Sequence, residues 1–164
     1  MNNIRITPMT AKHLEQVHAI ERESFAIPWS LDAFKQELTE NKVAIYIVAS
    51  IRRSGSESPT ARLLPKGSAP VIGYAGMWHV VTEGHITNIA VAPEFRKQGV
   101  GSALLSRLCC IAQEKGMIGL TLEVRVGNRN AMNLYHKYGF KVEGIRKNYY
   151  ADTHEDAIIM WKHL

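Results

Sequence analysis

The sequence has few of the features that staple a small protein together or carry a chain across a membrane. Only two of its 164 residues are cysteines, Cys109 and Cys110, and a disulfide between neighbours would close a strained ring. No apolar run approaches the roughly 18 residues of a membrane span, and the first residues lack the basic start and apolar stretch of a signal peptide. We therefore expect a soluble, cytoplasmic protein with free thiols.

Several motifs of nucleotide and metal sites are also missing. The chain contains neither the G-x-x-x-x-G-K-[ST] phosphate loop nor the G-x-G-x-x-G fingerprint of dinucleotide-binding folds. Its seven histidines show no H-E-x-x-H or other repeated ligand spacing, so we expect no metal site.

What remains is the composition of an ordinary globular protein. Hydrophobic residues make up 46% of the chain and charged residues 21%, and 20 Lys and Arg against 15 Asp and Glu leave a net charge of +5. This balance excludes general disorder. At about 100 to 200 residues per domain, the length predicts a single domain over residues 1–164 whose core needs no metal or disulfide.

Much of the basic excess lies in one segment, residues 52–70. Four basic residues there stand against one acidic residue, a local charge of +3, and the segment also holds four serines, two glycines and three prolines. Such a composition predicts a solvated surface insertion between two strands. The segment has no aromatic residue, which argues against a nucleic-acid surface of interleaved basic and aromatic side chains.

Hydrophobic periodicity predicts the element order βααβββαβαββ. Apolar residues at helical spacing follow Thr10 and Ser30, the predicted N-caps of the first two helices. The run Leu120–Arg125 alternates like a strand and puts Glu123 on its polar face. Helices interleaved with adjacent strand pairs predict an α/β fold, with a mixed, mostly antiparallel sheet and helices on both faces.

The segment from Asn88 to Ser102 is the strongest local candidate for a functional site. It reads as a strand, a turn with Gly99 and Gly101, and a helix N-terminus. Glycines let backbone N–H groups converge and the helix dipole adds positive potential, so the turn suits a phosphate, reinforced by Arg96 and Lys97. The spacing alone is weak evidence, because two glycines before a helix also form plain structural turns.

The same segment carries a resemblance to a known family. Asn88–Val91 and Arg96–Gly101 resemble the acetyl-CoA-binding core of the general N-acetyltransferase (GNAT) superfamily, whose pattern is [QR]-x-x-G-x-[GA]. Further segments resemble the RimI family, bacterial enzymes that acetylate the N-terminal alanine of a ribosomal protein. These segments are Phe25–Ser30, Leu122–Asn128, Leu134–Phe140, Arg146–Tyr150 and Glu155–Met160. The resemblance covers nearly the whole chain except the insertion.

The resemblance implies a role for particular residues and acetyl-CoA as co-substrate, without a metal. Glu123 corresponds to the general base and Tyr135 to the general acid, while Tyr149 and Tyr150 help to line the groove for the peptide. Acetyl-CoA would contact Ile89, Ala90, Val91, Lys97, Gln98, Gly99, Val100, Gly101, Ser102 and Asn128. Ser102 stands where a basic residue is common, which removes one charge from the phosphate site but not the backbone donors.

The chemistry of acetyl transfer agrees with this pair of roles. An α-amino group with a pKa near 8 is largely protonated at neutral pH, so a carboxylate or a water bound to it must take a proton before the amine can attack. The departing CoA thiolate needs a proton, which a buried phenol can donate. Direct transfer needs no acyl-enzyme, so Cys109 and Cys110 are expected to be spectators.

The predicted function is therefore N-terminal acetylation of a ribosomal protein, with alanine as its first residue, in the cytoplasm and without nucleic-acid or membrane partners. Two alternatives stay open: an acetyltransferase for other protein N-termini or for a small amine, and a non-catalytic acyl-CoA-binding module. At the residue level, Glu123 could instead lie on a solvated strand face, and Tyr135 could be a core aromatic.

Overall fold

The computed structural model describes residues 4–51 and 69–164. The predicted insertion at 52–70 therefore lies, apart from its last two residues, outside the described residues. The element order βααβββαβαββ is confirmed, with two short 3-10 helices in addition. The strands are β1 (Ile4–Pro8), β2 (Ala44–Ile51), β3 (Val71–Val80), β4 (Glu83–Val91), β5 (Gly119–Arg125), β6 (Lys141–Arg146) and β7 (Ala157–His163). The helices are α1 (Leu14–Ser24), α2 (Leu31–Thr39), α3 (Val100–Glu114) and α4 (Arg129–Lys137).

The two predicted N-caps have different outcomes. Ser30 caps α2 as predicted, because its hydroxyl accepts a hydrogen bond from the Ala33 N–H at 3.1 Å. Thr10 precedes a 3-10 turn, Ala11–His13, and α1 begins only at Leu14. The Thr10 N–H donates to His13 Nδ1 at 3.0 Å, so a ring nitrogen closes this turn. Thr10 is therefore the N-cap of the 3-10 turn that leads into α1, and His13 is the N-cap of α1 itself.

The strands form one sheet in the order β1-β2-β3-β4-β5-β7-β6. The β4–β5 pair is parallel, whereas β1–β2, β5–β7 and β6–β7 are antiparallel, so the predicted mixed, mostly antiparallel α/β sheet is confirmed. None of the helices in the described ranges is long and apolar enough to span a membrane.

The chain divides into two compact units. The first unit comprises Met1–Gly76 and Asn88–Leu105, and the second comprises Met77–Thr87 and Ser106–Leu164. The prediction of one domain over residues 1–164 stays a prediction. Cys109 and Cys110 on α3 are both free thiols, as expected. Cys109 is half-buried and Cys110 is exposed.

The core of the first unit is built around aromatic rings on α2 and β3. Phe34 and Tyr74 are fully buried and meet edge to face, with ring centroids 5.6 Å apart and planes at 89°. Glu21 of α1 is also buried, at 2% exposure, where it accepts hydrogen bonds from the Trp29 N–H at 2.9 Å and from the Tyr74 hydroxyl. The buried carboxylate thus ties α1, the loop before α2 and β3 together.

The core of the second unit lies on the apolar face of β5. Leu120, Leu122 and Val124 are buried, whereas the residues that alternate with them are only partly covered, as the sequence pattern predicted. Gly119 permits a close approach here, because a Cβ at this position would lie 2.3 Å from the Trp161 ring of β7. The buried face fixes which β5 side chains point the other way, and Glu123 is among them.

Candidate active site

The predicted phosphate turn lies in the first unit between β4 and α3. Lys97 and Gly99 both have left-handed backbone conformations, with φ of 59° and 85°. Among the described residues, apart from the two chain neighbours of Gly99, no atom lies within 4 Å of the position of a Cβ on Gly99, so that side of the turn is open. The Ala103 N–H donates to the Gly99 carbonyl at 2.9 Å, which closes the first turn of α3 and leaves the N–H groups before it directed out of the helix.

Arg96 is engaged at the base of this turn. Its Nε donates to the Val91 carbonyl at 2.9 Å, and a terminal guanidinium nitrogen donates to the Ser24 hydroxyl at 3.2 Å. Gln98 likewise donates its side-chain amide to the Glu94 carbonyl at 2.8 Å. Arg96 therefore holds the turn to the end of β4 and to α1, in addition to any charge it offers a phosphate, and Lys97 is the side-chain cation within the turn itself.

The predicted acetyl-CoA strand is the last part of β4, Ile89 to Val91. Ala90 is buried, whereas the residues on either side of it are half-buried. Gly73 of β3 lies so close that a Cβ there would be 2.9 Å from the Ala90 carbonyl oxygen. The packing of a glycine against Ala90 holds this strand at a fixed position, with the Ile89 and Val91 side chains on the other face.

Glu123 of the second unit lies on the half-buried face of β5, opposite Ile159 of β7. Its side chain is only 11% exposed. Its Oε2 lies 2.6 Å from His85 Nε2, a short hydrogen bond between β4 and β5. The parallel register pairs His85 with Thr121, so Glu123, two residues farther along β5, shares the face of the sheet from which the imidazole projects.

A second cation faces the same carboxylate. Arg146 at the end of β6 places Nε 3.4 Å from Glu123 Oε1, so both oxygens of Glu123 have a partner. The hydrogen bond from His85 and the charge of Arg146 hold the pKa of Glu123 below its ordinary value of 4.5, although partial burial acts in the opposite direction. Glu123 is consequently ionised at neutral pH.

Tyr135 projects from α4 and is largely covered. Its ring packs against Phe140 with centroids 5.9 Å apart. Burial raises the pKa of Tyr135 to about 12, with a smaller contribution from Tyr150, so the phenol keeps its proton at neutral pH. Tyr150 also interacts electrostatically with Glu123, and burial is the main reason that its own pKa is raised to about 12. Tyr150 thus lies within electrostatic range of both predicted catalytic side chains.

The predicted peptide-groove residues Tyr149 and Tyr150 follow β6. Their rings meet at 90° with centroids 5.1 Å apart, and Tyr149 is 46% exposed. The Arg125 guanidinium lies over the Tyr150 ring, 3.8 Å from its centroid, and forms a two-pronged ion pair with Asp152 at 2.9 and 3.0 Å. Arg125 therefore holds both Tyr150 and the turn that follows it.

Asn128, predicted to hold acetyl-CoA along its arm, is the N-cap of α4. Its Oδ1 accepts a hydrogen bond from the Ala131 N–H at 3.1 Å. The carbonyl oxygen of the side chain is therefore used within the helix, whereas its amide group could donate to a ligand.

Sequence reasoning did not single out three residues of this cluster, His85, Arg125 and Arg146, as functional. His85 carries one local signal, since it alternates with the buried Gly84 and Ile86 and so lies on the half-buried face of β4. Its contact with Glu123 depends on the parallel register of β4 and β5, which no local pattern specifies. The same holds for Arg125, whose partners lie 25 to 30 residues farther along the chain.

Comparison with known proteins gives one consistent family. The sequence profile of the acetyltransferase (GNAT) family matches residues 14–140. A Bacillus subtilis protein provisionally named a ribosomal protein bS18-alanine N-acetyltransferase is 41% identical over 153 residues, which cover 93% of this chain and 91% of that protein. The ribosomal protein bS18-alanine N-acetyltransferase of Salmonella typhimurium is 34% identical over 162 residues, covering 98% and 96%.

Comparison of structures agrees with the sequence matches. The crystal structure of the ribosomal-protein-S18-alanine N-acetyltransferase from Escherichia coli superimposes with a TM-score of 0.79 at 30% identity. The match covers 98% of this chain and 93% of the other.

Proposed function

Because this chain belongs to the GNAT family of acetyltransferases, we propose that it transfers an acetyl group from acetyl-CoA to the N-terminal alanine of a ribosomal protein. The relatives that match it over almost their full length are named for this reaction on ribosomal protein bS18, which is the substrate that we propose here. The observation that supports catalysis most directly is Glu123, a nearly buried carboxylate that stays ionised between His85 and Arg146.

Acetyl-CoA supplies an acetyl thioester, and the first unit offers suitable groups for its phosphates. The open, left-handed turn at Gly99 leaves room for a pyrophosphate against backbone N–H groups of the segment Lys97–Ser102. Lys97 adds a positive charge. The backbone of Ile89 to Val91 is proposed to run along the pantetheine arm, with an N–H near Val91 polarising the acetyl carbonyl. The amide of Asn128 is proposed to donate to the same arm.

Glu123 and Tyr135 are proposed to manage the two proton transfers. The α-amino group of the substrate must lose a proton, and the Glu123 carboxylate is the centre of negative charge that draws that proton away. The CoA thiolate must gain a proton, and the phenol of Tyr135, which is still protonated at neutral pH, can donate it. Neither transfer requires a cysteine or a metal.

Tyr149 and Tyr150 are proposed to line the groove for the peptide. Tyr149 is the more exposed of the two and presents its ring to incoming substrate, whereas Tyr150 is held against Arg125. We also propose that the enzyme acts in the cytoplasm, without a membrane and without binding nucleic acid directly.

The decisive test is a steady-state assay of CoA release with a short peptide that begins with alanine. We expect sustained turnover, and no turnover with the same peptide acetylated at its α-amino group. If only small amines are acetylated, the protein is a small-amine acetyltransferase. If peptides with other first residues are acetylated as fast as the alanine peptide, the protein acts on a broader set of N-termini. Tight binding of acetyl-CoA without any turnover would identify a binding module.

The physiological substrate can be identified in cells. Mass spectrometry of ribosomal proteins from cells with and without this chain should reveal one N-terminus that becomes lighter by about 42 Da, one acetyl increment, when the chain is absent. If no ribosomal protein changes in mass, the ribosomal substrate is wrong even where the peptide assay succeeds.

A further inference from the structure

The surroundings of Glu123 make it a poor direct proton acceptor. Its Oε2 is bound to His85 Nε2 at 2.6 Å, its Oε1 faces Arg146 Nε at 3.4 Å, and its side chain is 11% exposed. Each oxygen already has one lone pair engaged, and the low exposure of the side chain leaves an ammonium group little access to the others. The same two partners lower the pKa of Glu123, which weakens the carboxylate as a base.

His85 has the complementary properties. An ionised carboxylate can only accept hydrogen bonds, so the proton of a neutral His85 ring must be on Nε2, the atom that faces Glu123. The lone pair is then on Nδ1. Among residues 4–51 and 69–164, no group forms a hydrogen bond with Nδ1, and the side chain is 33% exposed. The Trp78 ring meets the imidazole edge to face at 6.2 Å, which helps to fix its plane.

We propose that Nδ1 of His85 is the atom that takes the proton from the substrate's α-ammonium group, and that Glu123 fixes the tautomer of the ring and stabilises the imidazolium that forms. The inference deepens the proposed function and rests on it. The charged groups that face the ring are Glu123 on β5 and, beyond it, Arg146 on β6. A carboxylate that orients a histidine base in this way is a known division of labour in acyl transfer.

The proton and electron balance needs no additional reagent. The ammonium proton passes to Nδ1, and the freed nitrogen lone pair forms the new amide bond with the acetyl carbon. The C–S bond breaks, its electrons leave on the CoA sulfur, and this thiolate takes the proton of Tyr135. The nitrogen of the new bond still carries one proton more than the amide keeps, and it gives that proton to the Tyr135 phenolate. The imidazolium of His85 then loses its proton to water.

The variant His85→Gln distinguishes a role of His85 as a base from a purely structural role. The glutamine amide can place an N–H where Nε2 stood, so the hydrogen bond to Glu123 can persist, but it has no nitrogen that accepts a proton at neutral pH. We expect kcat with the alanine peptide to fall about 100-fold while the KM for acetyl-CoA stays unchanged. The matched control is His163→Gln, which removes an exposed imidazole from β7 of the same unit and should turn over at the wild-type rate.

The pH profile gives a readout that a merely structural role would not move. Without His85, only peptide molecules that are already neutral can react, so the acid limb of kcat/KM should shift to the pKa of the substrate amine, about 8. In the wild type the acid limb should lie below that value, because the enzyme removes the proton itself. An unchanged limb in His85→Gln would overturn the proposal.

The tautomer can be measured independently of turnover. In a two-bond ¹H–¹⁵N NMR spectrum of the wild type, with the His85 signals assigned by their loss in His85→Gln, we expect Nε2 protonated and Nδ1 bare. A protonated Nδ1 in the neutral ring would contradict the proposal. If the wild type and His85→Gln acetylate the alanine peptide at the same rate, only the role of His85 is refuted. If the wild type does not acetylate the alanine peptide, the proposed function is refuted, and the role of His85 with it.

Discussion

Tyr135 is a single residue whose two properties, its hydroxyl and its ring, can be separated by one substitution. Tyr135→Phe keeps the ring that packs on Phe140 but removes the proposed proton donor. We expect kcat to fall about 100-fold with little change in acetyl-CoA affinity or in unfolding midpoint, because the lost group acts only on the departing thiolate.

The check is a kinetic comparison with Tyr138→Phe, which removes a hydroxyl three residues farther along at the end of the same helix and should retain wild-type turnover. Because burial raises the pKa of Tyr135 to about 12, its ionisation should not produce an alkaline limb below about pH 11 in the wild type. Equal rates for the wild type and Tyr135→Phe would remove the acid role.

At the level of elements, α1 depends on the buried carboxylate of Glu21. Replacing Glu21 with Ala leaves the Trp29 N–H and the Tyr74 hydroxyl without their acceptor in a buried place. At about 1 to 3 kcal/mol for each unsatisfied group, we expect a loss of about 3 kcal/mol in the free energy of unfolding, measured by urea denaturation.

Glu21→Gln should behave differently, because the amide keeps an acceptor for Trp29 and carries no charge. Burial raises the pKa of Glu21, so the stability that its protonated form contributes is complete below its ordinary value of 4.5 and is lost as the pH rises through the raised pKa. The wild type should therefore lose stability relative to Glu21→Gln as the pH rises. The matched variant Glu23→Gln removes an exposed carboxylate of α1, and its free energy of unfolding relative to the wild type should not change with pH in this way. If the difference in free energy of unfolding between the wild type and Glu21→Gln does not change with pH, the raised pKa of Glu21 is contradicted.

The turn between β6 and β7 depends on Arg125 of β5. Arg125→Met keeps the aliphatic length but removes the ion pair with Asp152 and the cation over the Tyr150 ring. A cation–π contact of about 1 kcal/mol corresponds to about a 5-fold change, so we expect the KM for peptide to rise about 5-fold with acetyl-CoA affinity unchanged.

The appropriate control for Arg125→Met is Arg107→Met. Arg107 also forms an ion pair, with Glu114 on the exposed surface of α3, but it contacts no tyrosine of the predicted groove. Initial-rate measurements over a range of peptide concentrations compare the two variants. A rise in peptide KM shared by both, or absent from both, would mean that Arg125 does not position Tyr150.

The elements also show how far sequence reasoning reaches. Local patterns predicted the Ser30 cap and the alternation that turns Glu123 away from the apolar face of β5, because both are decided within a few residues. They could not predict the pairing of His85 with Glu123, which needs the register between two strands separated by a helix. Local patterns also predicted only a phosphate-binding role for Arg96, because its hydrogen bonds to the Val91 carbonyl and to Ser24 exist only after the chain has folded.

On the scale of the whole molecule, the two units should respond differently to acid. In the second unit, His85, Arg125 and the Asn148 N–H lower the pKa values of Glu123, Asp152 and Asp156 respectively. A lowered pKa means stability that is present above the ordinary value and is lost as the pH falls through the lowered one. In the first unit Glu21 has the opposite sign, since its pKa is raised by burial.

We therefore expect the second unit to lose protection first as the pH falls below about 4. Hydrogen exchange measured peptide by peptide, after correction for the intrinsic effect of pH, should show faster exchange around β5 and the β6–β7 turn than around α1. Equal loss of protection in α1 would show that these carboxylates do not control acid stability. In the variant Glu123→Gln, the exchange rates around β5 and around α1 should differ less at low pH, because one of the carboxylates with a lowered pKa has been removed.

The irregular outer strand β6 affects how the protein behaves at high concentration. It forms one edge of the sheet, and its Val142 and Ile145 side chains are about half exposed, a combination that invites another chain to pair with it. However, its register with β7 shifts between Val142 and Gly144, and Lys141, Glu143 and Arg146 place charges along the same short strand. An incoming strand would meet a broken row of hydrogen-bonding groups and several charges, so we expect this edge to be a poor template for pairing despite its two half-exposed apolar side chains.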